Sequence, residues 1–202
     1  MNNLFKYLKE YLPVFYVLLF FGLIIGLFFL FCYIPHMYDF FKGDKILDAH
    51  IKEVIGNETD HAKIAGLLME WLQENVVYPR QEDKISIVGI NFYNINGKKR
   101  FFWRDVPASW TIIKKIGMCG EDANYFVEIM NRLGYKSRKI RPEGWDHTWA
   151  EYYTLEGKKI VLDPSSNQII TDLQKWIEGK NVTKVEAIDL KGKKEDITLE
   201  YT

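Results

Sequence analysis

Gly117-Met118-Cys119-Gly120-Glu121-Asp122-Ala123-Asn124-Tyr125-Phe126-Val127-Glu128-Ile129-Met130-Asn131-Arg132-Leu133-Gly134 is the stretch on which the reading of this chain turns. Ala123, Phe126, Val127, Met130 and Leu133 recur at the spacing of one helix face. Gly134 is the residue type that ends a helix. The spacing therefore predicts a helix that opens at Cys119 and buries one apolar stripe. At its first turn, backbone N–H groups lack partners and the helix dipole is positive, and both favour a thiolate. A thiolate is a nucleophile. A lone cysteine is also a small buried hydrophobe, so the nucleophilic reading requires a base and a group to orient it.

Downstream of Gly134 the pattern changes to strands. Lys136 to Arg141, Asp146 to Tyr153 and Lys159 to Leu162 read as three, with Glu156-Gly157 turning between the last two. Thr171 to Glu178 reads as a short helix, and Val185 to Leu199 as a closing hairpin around Lys191-Gly192-Lys193. Upstream, Asp39 to Asp48 reads as a polar connector and Ile46 to Ile55 as a short helix. Thr59 or Asp60 can cap a stronger helix carrying Ile64, Leu67, Leu68, Trp71 and Leu72. Ile85, Val88, Ile90, Phe92, Tyr93 and Ile95, then Asn96-Gly97, then Phe101-Phe102-Trp103 form a hairpin pattern. A short helix follows Asp105-Val106-Pro107, with Ala108, Ile112 and Ile113 inward. Helices first and an antiparallel sheet after indicate an α+β fold.

The 202 residues balance 27 basic against 27 acidic side chains. A near-neutral body argues against nucleic acid as a partner, because phosphate binding needs surplus positive charge. Cys32 lies in the apolar N-terminal segment, so Cys119 has no soluble cysteine partner and no disulfide framework exists. Two isolated cysteines do not make a structural zinc site either. Tyr11 to Pro35 holds no charged side chain over 25 residues. As a helix it would reach roughly 37 Å, against a hydrocarbon core of about 30 Å. The apolar run exceeds a signal-peptide core and no small-x-small site follows it. The expected organisation is a tail over 1–10, a membrane-spanning helix over 11–35, a linker over 36–45 and one domain over 46–202. Lys6 and Lys9 stand before the anchor and mixed charges after it, which favours a single pass with an extracytoplasmic body. Asn57-Glu58-Thr59 and Asn181-Val182-Thr183 match the glycosylation sequon.

His147 begins the second strand and Asp163 lies just past the third. Strands joined by a tight turn bring such ends together, and the helix opening at Cys119 must cover a face of that sheet. Thiol, imidazole and carboxylate would then converge. In those roles Cys119 attacks a carbonyl carbon, His147 manages the proton, and Asp163 orients the imidazole.

Cys119-Gly120-Glu121-Asp122-Ala123-Asn124, Asp146-His147-Thr148-Trp149-Ala150-Glu151 and Val161-Leu162-Asp163-Pro164-Ser165, in that order, resemble the transglutaminase-like superfamily. The resemblance covers about residues 62 to 167 and is nearest to bacterial and archaeal members and to peptide:N-glycanases. It implies a papain-like Cys-His-Asp triad at Cys119, His147 and Asp163, and an acyl-transfer reaction through a thioester on protein or peptide amides. It also implies an oxyanion site made by the cysteine's own N–H and an upstream polar side chain, for which Trp103, and behind it Trp110, are candidates. The thiol chemistry needs no metal or organic cofactor. The Cys-x-x-Cys zinc ligands of peptide:N-glycanases are absent, as are the flanking β domains and calcium sites of tissue transglutaminases. Hydrolysis, transamidation and a catalytically inert interaction module all stay open at this point.

Overall fold

The computed structural model describes residues 2–87, 90–95 and 97–201. The strand position Val88 and the turn residue Asn96 lie outside the described residues. Helix α1 runs Asn2–Val54 and α2 His61–Asn75. Strands β1 (Lys84–Ile87), β2 (Ile90–Ile95) and β3 (Lys98–Phe101) form a small antiparallel sheet. Helices α3 (Ala108–Lys114) and α4 (Cys119–Arg132) follow. The remainder is β4 (Ser137–Glu143), β5 (Trp149–Tyr153), β6 (Lys159–Asp163), β7 (Gln168–Ile170), α5 (Leu173–Ile177), β8 (Lys184–Ile188) and β9 (Lys194–Asp196). These six strands make an antiparallel sheet in the order β7-β6-β5-β4-β8-β9. The fold is α+β, as the order of patterns indicates.

Helix α4 buries its stripe as its spacing requires: Ala123, Phe126 and Met130 are fully buried, and Tyr125 and Ile129 join them. They pack between α2, with Leu68 and Leu72, and the sheet face carrying Ala150, Tyr152 and Leu162. Each such aliphatic or aromatic side chain contributes about 1.5–3 kcal/mol by leaving water. The alternation of β5 sends Trp149 to the opposite face, where it meets Ile140, Val161, Val185 and Tyr201. Gly134 has φ +92, the left-handed turn that stops α4.

Three expectations change. The linker over 36–45 and the separate helix from Ile46 are one continuous α1. Its distal half is held by the body: Leu47 and His50 are buried, His50 Nε2 lies 2.8 Å from the Tyr125 hydroxyl, and Arg132 reaches Asp44 at 2.7 Å and Asp48 at 2.9 Å. Tertiary packing thus overrides a polar, glycine-bearing segment. The hairpin gains a strand, because β1 pairs with β2 through Ile85↔Phe92. Ile113 is 40% exposed rather than inward. The N-terminal part of α1 is long and apolar enough to cross a membrane, with a mean hydropathy of 2.8 in its most apolar window, none of it buried.

Candidate active site

Cys119 is the first residue of α4 and Met118 its N-cap. The Glu121 carboxylate fixes this turn by accepting from the N–H groups of Met118 (3.1 Å) and Asp105 (2.8 Å). Arg104 Nε donates to the same group at 3.3 Å. Gly117 has no room for a side chain: a β-carbon there would lie 2.6 Å from Asp122 Oδ1 and 3.2 Å from Val76 Cγ1. The chain just before Cys119 pairs with the segment just after α2, with Val77 N–H donating to Lys115 O at 2.9 Å and Gly117 N–H to Val77 O at 3.3 Å. That pairing brings the Tyr78 phenol toward the backbone N–H and sulfur of Cys119. Burial, then the neighbouring sulfur, pushes the phenol up to about 12.

His147 lies in the loop before β5, two residues earlier than the strand itself. That loop turns at Gly144, with φ +88 and a hypothetical β-carbon only 1.7 Å from the Asn181 carbonyl oxygen, so only glycine fits. The His147 ring stacks on Trp145 at 4.9 Å and 30°, with Trp176 beyond at 6.2 Å. Its Nε2 and Asp163 Oδ2 are 2.9 Å apart. Asp163 ends β6, is 1% exposed, and accepts from Ser165 N–H (3.1 Å), Ser165 Oγ (2.6 Å) and Ser166 Oγ (2.8 Å). Burial opposes its charge, but these donors and His147 outweigh it and hold the carboxyl below its ordinary value. Burial likewise opposes a charged His147, yet Asp163 and the nearby Cys119 sulfur raise the imidazole to about 9. With Nε2 given to Asp163, Nδ1 is the nitrogen left for the sulfur.

Cys119, Gly120, Arg104, Trp145 and His147 line one open cleft of about 760 Å³. Basic and acidic side chains alternate around its rim, Arg141 and Lys139 among Glu143, Asp146 and Glu186. The rim therefore does not select substrates by net charge.

No family model matches the chain. Over 78 residues, 38% of its length, it is 32% identical to the peptide-N(4)-(N-acetyl-beta-glucosaminyl)asparagine amidase of Drosophila melanogaster. This similarity is consistent with the transglutaminase-like resemblance of the three motif blocks. The match spans 12% of the amidase's own length. Among solved structures, a candidate cysteine protease from Cytophaga hutchinsonii is similar at 18% identity and a TM-score of 0.42, over 63% of this chain and 40% of that one. A Rad4-Rad23 complex bound to a 6-4 photoproduct lesion is similar at 15% identity and TM-score 0.46, over 70% and 36%. A candidate protease from Parabacteroides distasonis is similar at 14% identity and TM-score 0.44, over 76% and 29%.

The fold brings Cys119, His147 and Asp163 together and leaves the fourth expected residue out. Trp103 is not in the cleft: its indole Nε1–H donates to Phe31 O of α1 at 3.2 Å, and its ring packs on Phe101 and Trp110. Trp110 is buried against Trp103 and Tyr38 and is a core aromatic. The groups beside the sulfur that sequence reasoning missed are Tyr78 and Arg104. Glu121 carried a legible signal, an acid three residues after the N-cap; Tyr78, forty-one positions upstream, carried none.

Asp122 is 4% exposed and its Oδ1 has no hydrogen-bond partner among the described residues. Burial, then the charges of Glu121 and Asp163, pushes its carboxyl up to about 8. A carboxyl raised in the fold keeps a proton that the unfolded chain releases, so stability falls as pH rises from about 4 to about 8. Asp122→Asn should remove that slope. Urea midpoints of variant and wild type should diverge in the variant's favour across this window and run parallel above it. A constant difference from pH 4 to 9 would show that Asp122 is ionised in the fold.

Proposed function

We propose that the protein is a membrane-anchored cysteine acyl-transfer enzyme that acts through a thioester on protein or peptide amides. The single observation that carries this reading is the convergence of Cys119, at the start of a helix, on a His147 ring tied to Asp163 at 2.9 Å. Cys119 Sγ attacks the amide carbonyl carbon while His147 holds the proton. The C–N bond breaks as His147 gives that proton to the departing amine, leaving an S-acyl Cys119. Water or a second amine then attacks the thioester, its proton passes to His147, and the thiolate returns. Asp163 keeps the imidazole in one orientation and stabilises its cation. In this reading the Cys119 N–H and the Tyr78 hydroxyl beside it are the donors to the oxyanion. Helix α1 supplies the anchor, with 11–35 spanning the bilayer and the domain outside the cytoplasm.

The test is p-nitrophenyl acetate, offered to the full chain in detergent. The expected result is a stoichiometric burst of p-nitrophenolate with the acetyl group located on Cys119 by mass spectrometry, absent in Cys119→Ala. Adding a primary amine then separates the outcomes: an acetylated amine marks transamidation, and acetate alone marks hydrolysis. Acetyl groups scattered over lysines without a burst would leave the chain a tethered, inert module.

A further inference from the structure

The aromatic end of the small sheet packs on the membrane helix itself. Phe31 of α1 lies with its ring centre 5.0 Å from Phe101 and 5.1 Å from Trp103, and its carbonyl accepts the Trp103 indole N–H. Phe31 belongs to the uncharged run Tyr11 to Pro35, roughly 6 Å before its end at 1.5 Å per residue. Whatever packs on Phe31 therefore sits at the boundary between acyl chains and headgroups. Trp, with an apolar ring and one N–H, is the residue type suited to that layer. Beside it, between β3 and α3, runs an apolar cleft of about 280 Å³ walled by Phe101, Phe102, Trp103 and Trp110, with Arg100 and Lys114 at its rim. Lys114 Nζ lies 4.6 Å over the Trp110 ring. From Asn91 to Gly117 the sequence carries Lys98, Lys99, Arg100, Arg104, Lys114 and Lys115 against a single acid, Asp105. Asp105 is already engaged by Lys139 at 3.0 Å. Lys98, Lys99, Arg100, Lys114 and Lys115 are all exposed.

An apolar slot two of whose walls, Phe101 and Trp103, pack on a membrane helix, rimmed by cations with no ion-pair partner among the described residues, has the chemistry of one ligand. We propose that this cleft binds an anionic phospholipid of the bilayer holding α1, with an acyl chain against Phe101, Trp103 and Trp110 and the phosphate between Arg100 and Lys114. The inference rests on the membrane-spanning reading of α1. Its consequence is positional: Trp103 is followed directly by Arg104, which lines the Cys119 cleft. A lipid seated on one holds the other at a fixed height above the membrane.

The experiment uses the full chain reconstituted in vesicles of brominated phosphatidylcholine with and without phosphatidylglycerol, and native mass spectrometry of the protein released from them. The Trp103 share of fluorescence, taken as wild type minus Trp103→Phe, should be quenched by the brominated chains. Phosphatidylglycerol should be retained in preference to phosphatidylcholine. Arg100→Gln with Lys114→Gln should weaken that retention about thirtyfold, the loss expected for two basic groups at an anionic surface. The charge-preserving pair Arg100→Lys with Lys114→Arg should restore it, which separates charge from folding. Equal retention of both lipids, no change in the neutralised variant, or a lipid-independent dimer cross-linked through this face would overturn the proposal. Alkaline carbonate separates the two layers of inference: release from the vesicles defeats the anchor, whereas an anchored protein with an unquenched Trp103 defeats only the lipid site.

Discussion

Replacing His147 with alanine is expected to lower the turnover of an amide or ester about 10⁴-fold or more, the scale seen when a base that acts as a unit with its nucleophile is removed. Among the residues lining the cleft His147 is the one imidazole, and it is the one tied to Asp163. Its charge is also legible in stability. The folded value, about 9, lies above the ordinary 6.5. The stabilisation it brings is therefore complete below about pH 6.5 and lost as pH rises through about 9. Wild type and His147→Ala should differ most in urea midpoint on the acid side of that window and converge above it. Acylation rates measured with p-nitrophenyl acetate check the first part; a variant as fast as wild type would remove His147 from the chemistry.

Glu151→Ala should unfold the protein more than any cleft substitution. Glu151 is fully buried on β5, beneath Arg138 of β4, which is 8% exposed and pairs with it through Nε. The same carboxylate accepts from the hydroxyls of Tyr153 at 3.2 Å and Tyr201 at 3.0 Å, so it ties the C-terminal segment to the sheet. Removing it strands a buried guanidinium, whose remaining charged partners, Glu195 and Glu200, are 66% and 40% exposed at their side chains. The expected loss is about 3–5 kcal/mol by urea titration. Removing both charges, as Arg138→Met with Glu151→Leu, should cost far less, because no unpaired ion then remains. If the single and double variants lose equally, packing rather than charge holds this face.

The parts of the fold that were legible are those whose causes are local. The stripe from Ala123 to Leu133 and the stop at Gly134 specify α4 without reference to anything distant, and the same holds for the cap of α2 at Asp60, whose carboxylate accepts from Ala62 and Lys63 N–H. The three motif blocks carried the meeting of Cys119, His147 and Asp163, because strand ends joined by a turn must lie together. What stayed hidden depends on partners far along the chain. Residues 36–45 look like a connector until Arg132, more than eighty positions away, is seen to bind Asp44 and Asp48. Trp103 looks like a free indole donor until α1 is found to supply an acceptor at Phe31. Tyr78 lies beside Cys119 only because Val77 pairs with the turn before it. Strand β7 is three residues long and takes its place from pairing with β6 rather than from any pattern of its own.

The most direct measurement of the central claim is the rate at which iodoacetamide alkylates Cys119 at pH 6.5 in the full chain, read by peptide mass spectrometry against glutathione in the same tube. A sulfur held as a nucleophile by a helix terminus and a charged imidazole should react faster than glutathione, and His147→Ala should slow it about tenfold. A Cys119 that reacts no faster than glutathione, with or without His147, would contradict the account.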